Sequence, residues 1–263
     1  MKYERRIVLF LDVLGFRKLI EENPKAVGKT NRKVAFILKE FQSFFGKKVP
    51  EVYKTSKKIC RFSDSVAISM KTGSNEDFGL LLDRLRILQA QLLMGEVVLR
   101  GGISIGAMVH TSKAMFGPAF LKAYDLESKK AKYPRIILDD DILKELGNEP
   151  NLSSFQQIIF KDFDGTYYID YIENTDDLYD DENSHNYFNE SLDKVIEENL
   201  INPNTATLEK YLWLAAKFNS RKKQHFYHSK LKQSDWYHST IDASTVDVGK
   251  INLGQFFNNR NSS

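Results

Sequence analysis

One cysteine, Cys60, stands in 263 residues. No internal disulfide can form, and a reducing, cytoplasmic compartment fits that usage best. Charge of one sign is lacking too: 38 Lys and Arg against 35 Asp and Glu leave a formal net charge of +3. So balanced a chain gives no electrostatic ground for nucleic-acid binding, and none is expected. No apolar run approaches the roughly 18 residues that a membrane span needs. The start imitates a secretory signal, with Lys2, Glu4, Arg5 and Arg6 before apolar residues. Asp12 interrupts that run and no small-residue cleavage site follows, so a protein without membrane attachment is expected. Internal repeats and low-complexity segments are absent. The late histidines His225, His228 and His238 match no zinc spacing and have no cysteine beside them, which makes them surface residues.

What is present is a core: 42% of the residues are hydrophobic, enough for one large domain. The stretch "IVLFLDVLGF", Ile7 to Phe16, reads as a buried strand with a carboxylate inside it. Asp12 there has two explanations. It can end the strand and open a turn with Leu14 and Gly15. Or it can face a divalent cation, which removes the desolvation cost of an isolated carboxylate.

Further along, Val34, Ile37, Leu38, Phe41, Phe44 and Phe45 mark one face of a helix over 32–45. Residues 58–70 read as two short strands around "FSDS", turning at Ser63 and Asp64. Leu81, Leu85, Leu88 and Leu92 predict a helix over 76–95. Residues 97–109 form a long strand containing "RGGISIG". A third helix spans 118–132, with Pro118 in its first turn. A short strand over 136–138, a short helix over 141–146 and a hairpin over 155–172 around Asp164 and Gly165 follow. The acidic patch Asp176, Asp177, Asp180, Asp181 and Glu182 reads as a solvated loop. Helices over 188–200 and 205–219 flank a turn at Asn202, Pro203 and Asn204. The tail from Arg221 to Ser263 is polar.

This order predicts an α+β, ferredoxin-like sandwich, with helices on one face of a mainly antiparallel sheet and a C-terminal helical extension. The expected divisions are a core over 1–150, a hairpin and helical extension of the same domain over 151–220, and a tail over 221–263.

In that topology Asp12, ending the first strand, and Asp64, topping the hairpin, can lie side by side. Two carboxylates converging at a sheet end suit either a two-metal site or a dyad sharing one proton. The turn Val13, Leu14, Gly15, Phe16 offers backbone N–H groups of the kind that bind phosphate oxygens. Arg100 can clamp phosphate or stabilise charge on it, and its plainer alternative is a surface ion pair. Gly101 and Gly102 mark the close approach of a ligand or of a packed helix.

Four motifs, "FLDVLGF", "FSDS", "LRGGISIG" and "FGPAFLKAYDLE", occur in the order and spacing of class III nucleotide cyclase catalytic domains, which residues 5–138 resemble. The resemblance implies two Mn2+ or Mg2+ ions held by Asp12, Asp64 and the Val13 carbonyl, and attack of a ribose 3′-oxygen on the α-phosphorus. It also implies a homodimer with its sites at the interface. Adenylate and guanylate cyclases carry an Asn and a transition-state Arg where this chain has Leu121 and Asp125. Their purine-reading Lys falls on Cys60, and its acidic partner on Ala114. The bacterial pyrimidine cyclases of Pycsar antiphage defence share more of the pattern: "RGGIS", "GPA" before "AYDLES", "YPRIILD" and "KYLWLAAKFN". That resemblance extends to about residue 220. It implies UTP, before CTP, as substrate, cUMP or cCMP as product, a co-encoded effector as reader, Arg100 as the replacement cation and Tyr53 facing the base. A catalytically degenerate, nucleotide-binding signalling module is the competing reading, motivated by Leu121 and Asp125. A phosphodiesterase or nuclease ranks lower because the histidine cluster it needs is missing.

Overall fold

The structure is a computed structural model that describes residues 2–21, 31–44, 49–62, 64–147, 158–172, 178, 181–201 and 205–222. Its centre is β1, Glu4–Leu14. Antiparallel neighbours flank β1 on both sides: β3, Ser65–Lys71, and β4, Val98–His110. With no exposed face the strand is apolar at every position from Ile7 to Leu11, without the alternation of a half-buried strand. β2, Lys58–Phe62, pairs with β3 at one edge of the sheet. The strand order 2-3-1-4 is that of the expected ferredoxin-like sandwich. Beyond β4 the sheet continues through β6, Ile136–Leu138, and then the hairpin of β8, Tyr167–Ile169, and β7, Ile159–Lys161. Among the described residues, only the β4–β6 pairing is parallel. The two-residue β5, Met115–Phe116, folds back onto the end of β4.

Helices cover both faces, where one covered face was expected. Odd-numbered residues of β1 (Ile7, Leu9, Leu11, Val13) pack with α2, Arg32–Ser43, and α4, Asn75–Met94. Even-numbered Val8 and Phe10 pack instead against Ala119 and Ala123 of α5, Pro118–Asp125. Gly102 permits this second layer: a Cβ there would lie 2.5 Å from Leu126 Cβ and 2.7 Å from the Ala123 carbonyl oxygen. A packed helix, therefore, explains that glycine. After Asp125 the chain does not stay α-helical to Lys132 but winds as a π-helical turn, Leu126–Lys130. Two six-residue helices, α1, Phe16–Glu21, and α3, Glu51–Ser56, are too short to give a periodic signal and were not expected. The short α6 spans Asp140–Gly147.

The chain closes with α7, Glu182–Ile201, and α8, Thr205–Lys222. Asp181 is the cap of α7, accepting from the Ser184 amide at 2.9 Å, so this end of the acidic patch is a helix start. Asp176, Asp177 and Asp180, the turn 202–204 and the tail from residue 223 lie outside the described residues.

A second apolar cluster joins α7 and α8 to Leu126, Ala131, Tyr133 and Tyr168. Within it sits a buried polar knot. Asp162 accepts from Trp213 Nε1 at 2.7 Å, from Arg135 and from the Phe163 amide, and Lys217 Nζ lies 3.4 Å away. Trp213 stacks on Tyr133 at 6.0 Å. Burial of so many charges is tolerated because each is paired. The knot fixes α8 against the β7–β8 hairpin and the segment that follows the π-helical turn.

A second polar chain crosses the sheet at the end away from Leu14. Arg6 Nε donates to Ser69 Oγ at 2.9 Å, Ser69 Oγ lies 2.8 Å from His110 Nδ1, and Lys58 Nζ donates to the His110 carbonyl.

Candidate active site

The end of β1 brings together residues far apart in sequence. Asp12 stands opposite Ser65 of β3 on one side and Arg100 of β4 on the other. It is 8% exposed. Arg100 Nε donates to Asp12 Oδ2 at 2.9 Å, and Ser65 Oγ donates to Oδ1 at 3.3 Å. The Val13 amide donates to the Asp64 carbonyl at 3.1 Å, which ties the hairpin turn to the end of β1. Asp64 itself is exposed. A buried carboxylate and an open one thus share one sheet end.

The turn after β1 is built as its sequence suggests. Gly15 adopts φ 77°, and a Cβ there would meet nothing within 4 Å. Glycine is needed for the backbone angle rather than for space. Val13 is buried in the main core, with Phe16 packed against it, while Leu14 packs against the second cluster.

Two residues join this cluster that sequence reasoning missed. Glu127, in the π-helical turn, is 4% exposed, and its Oε1 lies 2.6 Å from an Arg100 Nη2. That approach is poorly aligned for a hydrogen bond, so the contact is chiefly ionic. Burial pushes the Glu127 carboxyl above the usual range; Arg100 opposes this, Asp12 and Asp64 add to it, and Lys210 opposes it. Lys210 of α8 is the second. Burial and then the Arg100 guanidinium push its ammonium below the usual lysine range, against the pull of Asp12 and Glu127. Arg100 also reaches the Ala131 carbonyl at 3.5 Å. Three acids and two cations, carried by β1, the hairpin, β4, the π-helical turn and α8, thus act on one another electrostatically at this end of the sheet. Glu127 lies within "AYDLE" and Lys210 opens "KYLWLAAKFN". The motifs were visible in sequence, but nothing in their spacing told which side chains turn inward.

Among the described residues, no group of three or more His, Cys, Asp or Glu gathers as a metal cage. No helix of the described residues is long and apolar enough to cross a membrane.

No family model matches the chain, and no curated protein does. Solved structures similar to it include an adenylate/guanylate cyclase/hydrolase from Silicibacter pomeroyi, at 14% identity and TM-score 0.40, covering 57% of this chain and 84% of that one. Another is the adenylyl cyclase CyaB from P. aeruginosa, at 16% identity and TM-score 0.38, covering 65% of this chain and 96% of that one. A class III adenylyl cyclase-like ATP-binding protein from Pseudomonas aeruginosa is similar at 14% identity and TM-score 0.30, covering 55% of this chain and 35% of that one.

Tyr53 is not brought to this cluster. It lies in α3, wholly buried, and lines a cavity of about 110 Å3 with Arg5, Thr72, Asn75 and Glu145. That cavity opens at the start of β1, whereas Asp12 is near its end. The helix α3 turns the tyrosine under the sheet instead of toward the hairpin tip, and burial raises the pKa of its hydroxyl. Leu121 and Asp125 both point away from the core: Leu121 is 61% exposed, and Asp125 pairs with Lys129 at 2.9 Å.

Proposed function

We propose that this chain is a nucleotide cyclase acting on a pyrimidine nucleoside triphosphate, UTP before CTP. Its products would be the 3′,5′-cyclic monophosphate, serving as a second messenger of antiphage defence read by a co-encoded effector, and pyrophosphate. The observation that supports the reading is the meeting of Asp12, the Asp64 turn and Arg100 at one end of a 2-3-1-4 sheet.

Asp12 and Asp64 are the residues that would hold Mg2+ or Mn2+. Their donor set suits such ions. Hard cations of this kind take oxygen ligands, commonly one or two carboxylates with the remainder from phosphates and water, so a three-residue protein cage is not required. When bound, the ions polarise phosphoryl oxygens and ease loss of the 3′-hydroxyl proton. The protein's own side chains do the rest. Ser65 and Arg100 fix the Asp12 carboxylate. Arg100, held by Asp12 through Nε and by Glu127 at Nη2, would offer its remaining Nη hydrogens and its charge to phosphate oxygens. Beyond the end of β1, whose Val13 amide is taken by the Asp64 carbonyl, Gly15 and Phe16 would present backbone N–H groups to the same charge. As the 3′-oxygen bonds to the α-phosphorus, the bond to pyrophosphate breaks, and fixed cations stabilise the charge that develops. A homodimer is part of this reading.

A second reading, a nucleotide-binding signalling domain without turnover, is favoured by the outward-facing Leu121 and Asp125, which offer no cation to the reaction.

Incubation with each of the four ribonucleoside triphosphates and Mn2+, with products read by mass spectrometry, tests the proposal. Cyclic UMP or cyclic CMP is expected, and Asp64→Ala, at an exposed position, should abolish it without changing the melting temperature. Consumption of ATP or GTP alone refutes the base assignment. Tight binding with no pyrophosphate release favours the second reading.

A further inference from the structure

Two lysines of α8 sit on one inward stripe. Lys210 precedes Trp213 by three residues and Leu214 by four, and both of those are fully buried. Lys217 follows at the next turns of the same stripe. The fold accounts for Lys217, which lies 3.4 Å from the buried Asp162. It does not account for Lys210, which has no carboxylate within ion-pair distance among the described residues. The stripe faces the second apolar cluster, where Trp213 and Leu214 pack with Leu14, Val98, Leu126 and Ala131. Those residues flank Asp12, Arg100 and Glu127 along the chain, and Arg100 is already engaged by Asp12 and Glu127. Holding an ammonium half-buried, without a carboxylate partner, at the end of the sheet that carries Arg100 is unfavourable for the folded chain alone. It is favourable for a polyanion placed between the two.

We propose that Lys210 of α8 is a substrate-contacting residue that holds the triphosphate of the bound nucleotide together with Arg100. This rests on the nucleotide-cyclase reading above and adds to it the source of the second cation, which α5 does not supply because it carries Leu121 and Asp125. It assigns the C-terminal helices a part in the site: the Asp162–Trp213–Arg135 knot sets the register of α8 and hence the reach of Lys210. Because the contact is to phosphate and not to the base, it predicts affinity for the triphosphate whatever the nucleobase.

The test is calorimetric titration of the full chain in Mg2+ with inorganic tripolyphosphate, with α,β-methylene analogues of the four nucleoside triphosphates and with UMP. Lys210→Met should weaken tripolyphosphate and the preferred analogue by about 10- to 100-fold, the range of a hydrogen bond to a charged group. UMP affinity should stay within about twofold, and Lys210→Arg should retain most of the triphosphate affinity. The melting temperature of Lys210→Met should hold or rise; Lys210→Gln serves as the second variant should methionine pack badly. Unchanged triphosphate affinity in a wild-type protein that does bind the analogues overturns the Lys210 assignment alone. Equal weakening of UMP and triphosphate also overturns it. Failure of the wild type to bind any of the four analogues overturns the cyclase reading and this inference together.

Discussion

Replacing His110 by Gln should remove a specific part of the protein's acid sensitivity. Ser69 Oγ already accepts from Arg6 Nε, so its own hydrogen is free to point at His110 Nδ1. That makes Nδ1 an acceptor and leaves the neutral imidazole protonated at Nε2. Protonating Nδ1 would oppose the Ser69 hydroxyl and add charge beside Arg6 and Lys58. Burial first, then those two cations, push the His110 pKa down from its ordinary 6.5 to about 4. At 1.36 kcal/mol per unit, that difference is worth roughly 3 kcal/mol. The sign follows from linkage: between pH 6.5 and about 4 the unfolded chain binds a proton that the folded chain does not. The stabilisation is full above pH 6.5 and is lost as pH falls toward 4. Urea unfolding followed by circular dichroism from pH 7.5 to 4.5 measures it, with the Gln variant subtracting the carboxylate contribution common to both proteins. The wild type should lose about 2–3 kcal/mol more than the variant over that span. Parallel curves for the two proteins would refute the proposed hydrogen-bond direction and the burial argument with it.

Gly102→Ala should force the π-helical turn away from β4, because the new methyl meets Leu126 and the Ala123 carbonyl. A loss of about 1–3 kcal/mol is expected, seen as a melting temperature lower by several degrees, and an unchanged value would show that the turn yields freely. Arg135→Met should cost about 3–5 kcal/mol in urea unfolding, since it leaves Asp162 and Asp164 short of their guanidinium partner. A cost under about 1 kcal/mol would mean that Trp213 and Lys217 satisfy Asp162 on their own.

The parts of the site legible in the sequence are those carried on strands. An apolar run broken by Asp12, a turn at Asp64 and a strand opening on Arg100 have period and punctuation that fix both the element and the end at which the residue sits. Side chains carried on helices were not legible. A helical period continued from Pro118 to Lys132 misses the change to π winding at Leu126, and that change alters the direction in which Glu127 points. Lys210 was hidden among buried aromatics, on a stripe whose facing surface is set by a knot of residues from the turn between β7 and β8 and from the segment before β6. Tyr53 was placed by its nearness in sequence to the hairpin, but α3 takes it under the opposite end of the sheet.

The edge strand β2 carries its own safeguard. Were two molecules to meet edge to edge there, antiparallel and centred between Ile59 and Cys60, each Lys58 would face the other molecule's Arg61. Like charges set directly across a ladder repel, so the partly apolar rim that Ile59 exposes is a poor template for runaway strand addition.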